Sequence, residues 1–403
     1  MPPLPVLGRY QFERRLGAGG MGDVWLARHE DYPGPLVVKR LHAFLAQDPR
    51  SIDRFFDEML LMRLIDHRNV VRLIDGGRIG DTYFLTMEYV DGLTLRDSLL
   101  ANGAALQPAL AVELIAQACA GLAHAHGVRD EDGKPMRMVH RDISPDNLMV
   151  DHTGAVRVLD FGIARAACSL ATTQVSVRRG KVRFCAPEYL EDGVVDPRID
   201  VYSMGATLFA LCTGHAPFDS CSEPVPLMRM VCRVGLLPAN ELRPDLPEEL
   251  VAVISDATRL EPDRRTASIA LLGERLQALR ELLPPPSPAQ IGRMVGLWKT
   301  RLASPLPPRA PSLGQLELTT AQPPILDEPR APPSAESSPA NVHVSSHPLD
   351  MTVVLPLSET LRREAQLHPT PQPLPCAPGP SEPKVIVSPE LEGVEHPPDL
   401  RKG

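Results

Sequence analysis

Aromatic residues are scarce, at 4% of the 403-residue chain. No run of 18 or more apolar residues occurs, so the sequence offers no membrane-spanning helix. Basic excess is missing as well. The formal charge is −8, which speaks against a phosphate-backbone binder with a basic face. The seven cysteines are odd in number, scattered and without a Cys-x-x-Cys pair. That pattern disfavours both a zinc ribbon and a disulfide framework and suits a reducing compartment. The opening Met1-Pro2-Pro3-Leu4-Pro5 lacks the basic and apolar regions of a signal peptide. These absences lead to the expectation of a cytoplasmic protein with neither nucleic acid nor membrane as a partner.

Proline, by contrast, is abundant and unevenly placed. Of 44 prolines, 26 fall between Pro284 and the C-terminus. Runs such as Pro284-Pro285-Pro286 interrupt helices and central strands. With few aromatics, that region has little apolar surface to offset its chain entropy. The expected organisation is a short extension over residues 1–8, one folded unit over 9–283 and a disordered Pro-rich tail over 284–403. A folded unit of that size can bury a substantial core.

Residues 9–90 read as strand-rich with one helix. Strands are expected over 10–16, 24–27, 36–39, 70–74 and 83–87. Asp48-Pro49 reads as a helix N-cap with proline at the first helical position. Ile52, Phe55, Phe56, Met59, Leu60 and Leu64 follow at helical spacing. After Asp91-Gly92 the chain turns mainly helical, with long apolar segments over 108–125 and 201–212 and further helices over 249–260 and 267–283. Residues 129–138 read as a polar surface insertion. The expected fold class is α+β, with a small strand-rich lobe (9–90), a larger helical lobe (91–283) and a nucleotide cleft between them.

Gly17-x-Gly19-x-x-Gly22-x-Val24 lies between two strands. That placement differs from the strand-to-helix turn of a dinucleotide fold and favours a hairpin lid whose backbone approaches phosphates closely. Lys39 sits on an otherwise apolar strand, with Glu58 on the helix that follows. By themselves they fit either a surface ion pair or a phosphate-gripping lysine and its brace. More specific is His140-Arg141-Asp142-Ile143-Ser144-Pro145-Asp146-Asn147, followed thirteen residues later by Asp160-Phe161-Gly162. Turns between short strands can gather Asp142, Asn147 and Asp160 around one point. One carboxylate can accept a hydroxyl proton there, while an amide oxygen and a second carboxylate suit a hard cation.

These segments resemble the signature set of protein kinases. The likeness is greatest to bacterial-type (Hanks-type) serine/threonine kinases. It runs through Leu16-Gly-Ala-Gly-Gly-Met-Gly22, Met87-Glu88-Tyr89-Val90, Leu159-Asp-Phe-Gly-Ile-Ala-Arg165, Ala186-Pro187-Glu188, Asp200-Val-Tyr-Ser-Met-Gly205 and Pro262-Asp-Arg-Arg265. The resemblance implies the bilobal protein-kinase fold, ATP with Mg²⁺ (or Mn²⁺), protein substrates and transfer of the γ-phosphate to serine or threonine hydroxyls. It further implies that Leu16, Gly17, Ala18, Gly19, Gly20, Met21, Gly22, Asp23 and Val24 cover the nucleotide. Val24, Val37 and Met149 would enclose the adenine, Met87 would be the gatekeeper, and Glu88 and Val90 would belong to the hinge. Lys39 would pair with Glu58, Asp142 would be the catalytic carboxylate, and Asn147 and Asp160 would hold the metal. Met62, His140 and Phe161 would stack as a spine, Glu188 would pair with Arg265, and Asp200 would brace the catalytic loop.

Two positions depart from the family pattern. Ser144 stands where such kinases carry a lysine that contacts the transferring phosphate, and Lys181 stands where they carry a docking-loop threonine. The two functions have changed places in the chain, so the Lys181 ammonium is expected to reach the space left by Ser144. These departures leave a pseudokinase scaffold as the alternative reading, and a small-molecule phosphotransferase as a third. Arg141, beside Asp142, implies activation by phosphorylation at Thr172, Thr173 or Ser176. In the tail, Thr352 within Asp350-Met-Thr352-Val-Val-Leu355 resembles a phosphopeptide motif, so the tail is expected to offer phosphopeptide-binding or other partners a docking segment. The rest of it reads as a proline-rich spacer that catalysis does not need.

Overall fold

The computed structural model describes residues 6–19, 22–161, 180–221 and 223–303. Its first layer is an antiparallel sheet in the order β1-β2-β3-β4-β6-β5: β1 (Val6–Leu7), β2 (Tyr10–Ala18), β3 (Gly22–His29), β4 (Tyr32–Leu41), β5 (Leu73–Ile79) and β6 (Thr82–Glu88). The register sets Lys39 opposite Val24 on one side and Leu85 on the other, with Val37 opposite Leu26 and Met87. Side chains alternate along a strand, so Val37 and Lys39 share one sheet face with Val24 and Met87. Helix α1 (Pro49–Arg63) leaves β4 through the expected cap, in which the Asp48 side chain accepts from the Arg50 N–H and Pro49 occupies the first turn.

The strand expected over 70–74 begins instead at Leu73. Val70 and Val71 turn away to meet β9 (Val156–Val158), where the Val71 N–H donates to the Val158 carbonyl, and both are buried in the main core.

A second sheet, β7 (Gly92–Thr94), β8 (Leu148–Asp151) and β9 (Val156–Val158), follows the first. The helices of this part of the chain are α2 (Leu95–Asn102) and α3 (Pro108–His126), which pack on that sheet, and α4 (Arg198–Thr213), α5 (Pro224–Arg233), α6 (Glu248–Ala257) and α7 (Ile269–Ala278). Helix α3 is long and apolar enough to cross a membrane by length and composition. Leu110, Leu114, Ile115, Ala118 and Leu122 are nevertheless fully packed, which makes it the central helix of a core. Every residue of α4 from Ile199 to Thr213 is buried, and that rigid spine carries Asp200 into the interior.

The domain bounds expected from the sequence need correction at both ends: residues 6–7 of the expected extension form β1, with Leu7 buried. The tail assigned to residues 284–403 begins with an ordered helix, α8 (Pro288–Ala303), which buries Ile291, Val295 and Trp298. These apolar side chains repeat at helical spacing and join the main core. Ser287 and Gln290 cap the helix reciprocally: the Ser287 N–H donates to Gln290 Oε1 at 2.7 Å, and the Gln290 N–H to Ser287 Oγ at 3.3 Å. At its far end Lys299 Nζ lies 2.5 Å from Asp91 Oδ1. The expectations for residues 304–403, Thr352 included, lie outside the described residues.

Candidate active site

The glycine-rich segment is a strand–turn–strand hairpin, as its placement in the sequence requires. The Gly19 N–H donates to the Gly22 carbonyl at 2.8 Å, closing the turn between β2 and β3. A Cβ on Gly22 would lie 1.8 Å from the Arg40 carbonyl oxygen, so only glycine lets β3 run this close to β4. Leu16, Gly17, Ala18, Asp23 and Val24 line this hairpin, whereas Gly20 and Met21 lie outside the described residues. Val37 and Met149 are half-buried against the main core and Met87 is buried in it. In the segment expected to be the hinge, Glu88 donates its N–H to the Arg72 carbonyl and accepts from the Arg72 N–H through Oε1, both at 3.0 Å. Its side chain is thereby committed to the backbone, and Val90 beside it is buried.

Lys39 is 9% exposed, and its Nζ stands 3.4 Å from Asp160 Oδ1. Glu58 lies on α1, but its side chain, and with it the expected pairing to Lys39, is outside the described set. Burial alone would raise the Asp160 carboxyl. Lys39, with smaller contributions from Lys181 and His140, outweighs it and holds Asp160 below the usual carboxylate range. Asp160 sits at φ +41° and Arg141 at φ +66°, conformations that non-glycine residues rarely adopt and that cluster at functional sites.

The loop carrying Asp142 is pinned from below. Asp200, fully buried, accepts from the His140 N–H at 2.7 Å and from the Arg141 N–H at 2.9 Å. His126 Nε2 approaches the same carboxylate at 2.8 Å, a partner that the sequence reading missed because a histidine ending an apolar helix carries no signal of its own. The His140 ring donates from Nε2 to the Leu159 carbonyl at 2.7 Å and accepts from the Asp142 N–H at Nδ1. Burial holds its pKa below the usual imidazole value, so the ring stays neutral. It packs on Phe161 with ring centroids 4.8 Å apart, and Phe161 and Met62 lie in the same core.

Above this support Asp142, Asn147 and Lys181 converge. Asn147 Nδ2 donates to the Asp142 carbonyl at 2.6 Å and to Asp142 Oδ2 at 2.8 Å, fixing the carboxylate. Lys181 Nζ donates to Asp142 Oδ2 at 2.9 Å and to Asn147 Oδ1 at 3.2 Å. Ser144 Oγ is buried with no hydrogen-bond partner among the described residues. The structure thus brings Asp142, Asn147 and Lys181 into one cluster and pairs Lys39 with Asp160. Farther out, Arg265 makes two bonds to the Glu188 carboxylate, at 2.7 and 3.1 Å, with the arginine side chain fully enclosed.

Comparison with known proteins agrees with this geometry. The protein kinase domain family matches residues 10–275, and the chain belongs to that family. Among curated proteins it is 33% identical over 283 residues to the tyrosine-protein kinase MasK of Myxococcus xanthus, a match covering 69% of this chain and 44% of that protein. It is 35% identical over 260 residues to the serine/threonine-protein kinase PrkC of Bacillus subtilis, covering 64% and 39% respectively. The chain therefore spans less than half the length of these relatives. Among solved structures, the PknI kinase domain of Mycobacterium tuberculosis superposes with a TM-score of 0.52 at 25% identity, covering 69% of this chain and 98% of that one.

Proposed function

We propose that this protein transfers the γ-phosphate of ATP to serine or threonine hydroxyls of other proteins in bacterial signalling. The observation that carries this reading is the Asp142 carboxylate held by Asn147 and Lys181, alongside a buried lysine, Lys39, paired with Asp160. Lys39 would grip the nucleotide phosphates from the sheet face that it shares with Val24 and Val37. Asp142 would accept the proton of the acceptor hydroxyl, oriented by its bonds to Asn147. The hairpin of β2 and β3 would close over the phosphates and exclude water.

The donor set fits a divalent cation such as Mg²⁺. Asn147 and Asp160 offer oxygen ligands, and no cluster of three or more His, Cys, Asp or Glu among the described residues would close around an ion by itself. Asn147 Oδ1 has two lone pairs, so its bond from Lys181 leaves one available. A cation bound there would neutralise phosphate charge. The reaction belongs in the cytoplasm, where ATP is plentiful.

Arg141 supports control by phosphorylation. Its Nε is buried with no hydrogen-bond partner among the described residues, and a phosphate would satisfy it. Thr172, Thr173 and Ser176 lie outside the described residues. Mass spectrometry of the active protein should find phosphate between residues 164 and 179, and its absence would count against the switch. The activity itself is tested with labelled ATP and a protein acceptor, followed by phosphoamino-acid analysis. Label on tyrosine alone would overturn the assignment to serine and threonine.

A further inference from the structure

Lys181 reaches the reactive cluster from outside the loop that forms it. Asp142 and Asn147 lie five residues apart on one loop, whereas Lys181 comes 34 residues after Asn147, just beyond residues 162–179. Its ammonium nonetheless bonds both of them, and its side chain is only 25% exposed. An ammonium has three N–H donors. Two are used by Asp142 Oδ2 and Asn147 Oδ1, and the third, without a partner among the described residues, is left for an oxygen of the group being transferred. The residue inside the loop, Ser144, carries no charge, and its buried hydroxyl bonds to nothing among the described residues.

The stretch that presents this lysine is anchored on both sides. The Phe184 N–H donates to the Lys181 carbonyl at 3.0 Å, closing a turn behind the lysine. Phe184 is buried against Ile199 and Tyr202, at the start of the rigid helix α4. Between them, Arg183 donates to the carbonyls of Pro217, Phe218 and Cys221. The ammonium is therefore set in place by a chain segment other than the one that carries the proton acceptor.

We propose that Lys181 is a catalytic residue whose ammonium stabilises the phosphoryl group in flight, and that Arg183 is its positioning residue. The proposal rests on the kinase reading and adds one named group to it. In the step, the acceptor hydroxyl oxygen forms a bond to the γ-phosphorus while the bond to the bridging oxygen breaks. The electron pair leaves with ADP, and the hydroxyl proton passes to Asp142. Charge on the non-bridging oxygens is then met by the third N–H of Lys181, a contact aimed at the transition state. Because the cation rides on the stretch after residue 179, disturbing that stretch removes the charge from the site as well as altering acceptor docking.

The full chain is tested as Lys181→Ala and Lys181→Met, with ATP and a protein acceptor. Loss of one such donor should lower kcat by ~10²-fold. Affinity for a non-hydrolysable ATP analogue, measured by calorimetry, should stay within ~3-fold, since the contact is made in transfer and not in ground-state binding. Methylamine should restore part of kcat to Lys181→Ala, but not to Lys181→Met, where the stem fills the space. Lys181→Thr combined with Ser144→Lys supplies the charge from the loop itself and should recover turnover that Lys181→Thr alone lacks. Arg183→Ala should lower kcat without weakening analogue binding. Normal turnover in Lys181→Ala, or a loss that tracks analogue binding and thermal stability with no recovery by amine or double substitution, would overturn the proposal. No transfer by the wild-type chain would overturn the kinase reading and this proposal together.

Discussion

Lys39 occupies an apolar strand and is 9% exposed, a costly place for an ammonium unless it is paired. Asp160, 3.4 Å away, supplies the pairing. Replacing Lys39 with methionine keeps the stem and removes the charge, so kcat should fall by ~10²-fold or more, while Tm moves little because the Asp160 carboxylate left behind is 39% exposed to water. Undiminished transfer would contradict a phosphate role for this strand. The Glu188–Arg265 pair presents the opposite case, since its role is structural. Arg265 also donates to the carbonyls of Arg259, Arg198 and Leu260, all of which lose a partner if it is removed. Arg265→Ala should cost about 3–5 kcal/mol in urea denaturation, the usual penalty for leaving one member of a buried pair uncompensated.

His140 provides a test by pH. Its folded-state pKa is depressed by burial, so the unfolded state takes up the proton first as pH falls. Its contribution to stability is complete above the ordinary imidazole value of ~6.5 and is lost as pH drops through the lower folded value. Nitrogen chemical shifts should show a neutral ring protonated on Nε2 at pH 6.5, whereas a charged ring there would contradict the packing on Phe161.

At the scale of elements, the chain pattern reveals some structures and hides others. The β2–β3 hairpin was legible because glycine spacing between two β-like runs has few physical solutions. The Asp142–Asn147 loop was legible because its polar groups sit at fixed short spacing, within a few residues of one another. Helix α1 was legible because Asp48-Pro49 caps it and its apolar residues repeat at helical period. Helix α8 was missed. Averaging proline over 120 residues concealed sixteen residues with their own capping signal, Ser287-x-x-Gln290, and apolar positions at Ile291, Val295 and Trp298. The start of β5 was missed for another reason. Val70 and Val71 look like strand residues, and a contact with β9, distant in sequence, decides their fate.

The capped helix leads to stability predictions. Ser287→Ala should cost about 1 kcal/mol, the typical value of an N-cap. Trp298→Ala should cost about 3–5 kcal/mol, as for other buried aromatics. A chain ending at residue 287 should melt below one ending at residue 303, which should match the full chain. Equal melting of the two truncated chains would show that α8 contributes nothing to the fold.

At the scale of the whole molecule, the account reduces to one arrangement. A sheet face carries Lys39, a braced loop carries Asp142 and Asn147, and a third segment delivers Lys181. The sequence departures at Ser144 and Lys181 taken separately suggest a lost activity, yet Lys181 sets an ammonium on the Asp142 carboxylate while the Ser144 hydroxyl bonds to nothing among the described residues. The most direct measurement is transfer of label from γ-labelled ATP, with Mg²⁺, by the purified full chain and by Asp142→Asn. The account predicts that the wild-type chain labels itself or a protein acceptor on serine or threonine. It predicts that Asp142→Asn binds a non-hydrolysable ATP analogue as well as wild type while transferring at least ~10²-fold more slowly. Equal, background-level labelling by both, with the analogue still bound, would contradict the account and leave a nucleotide-binding scaffold in its place.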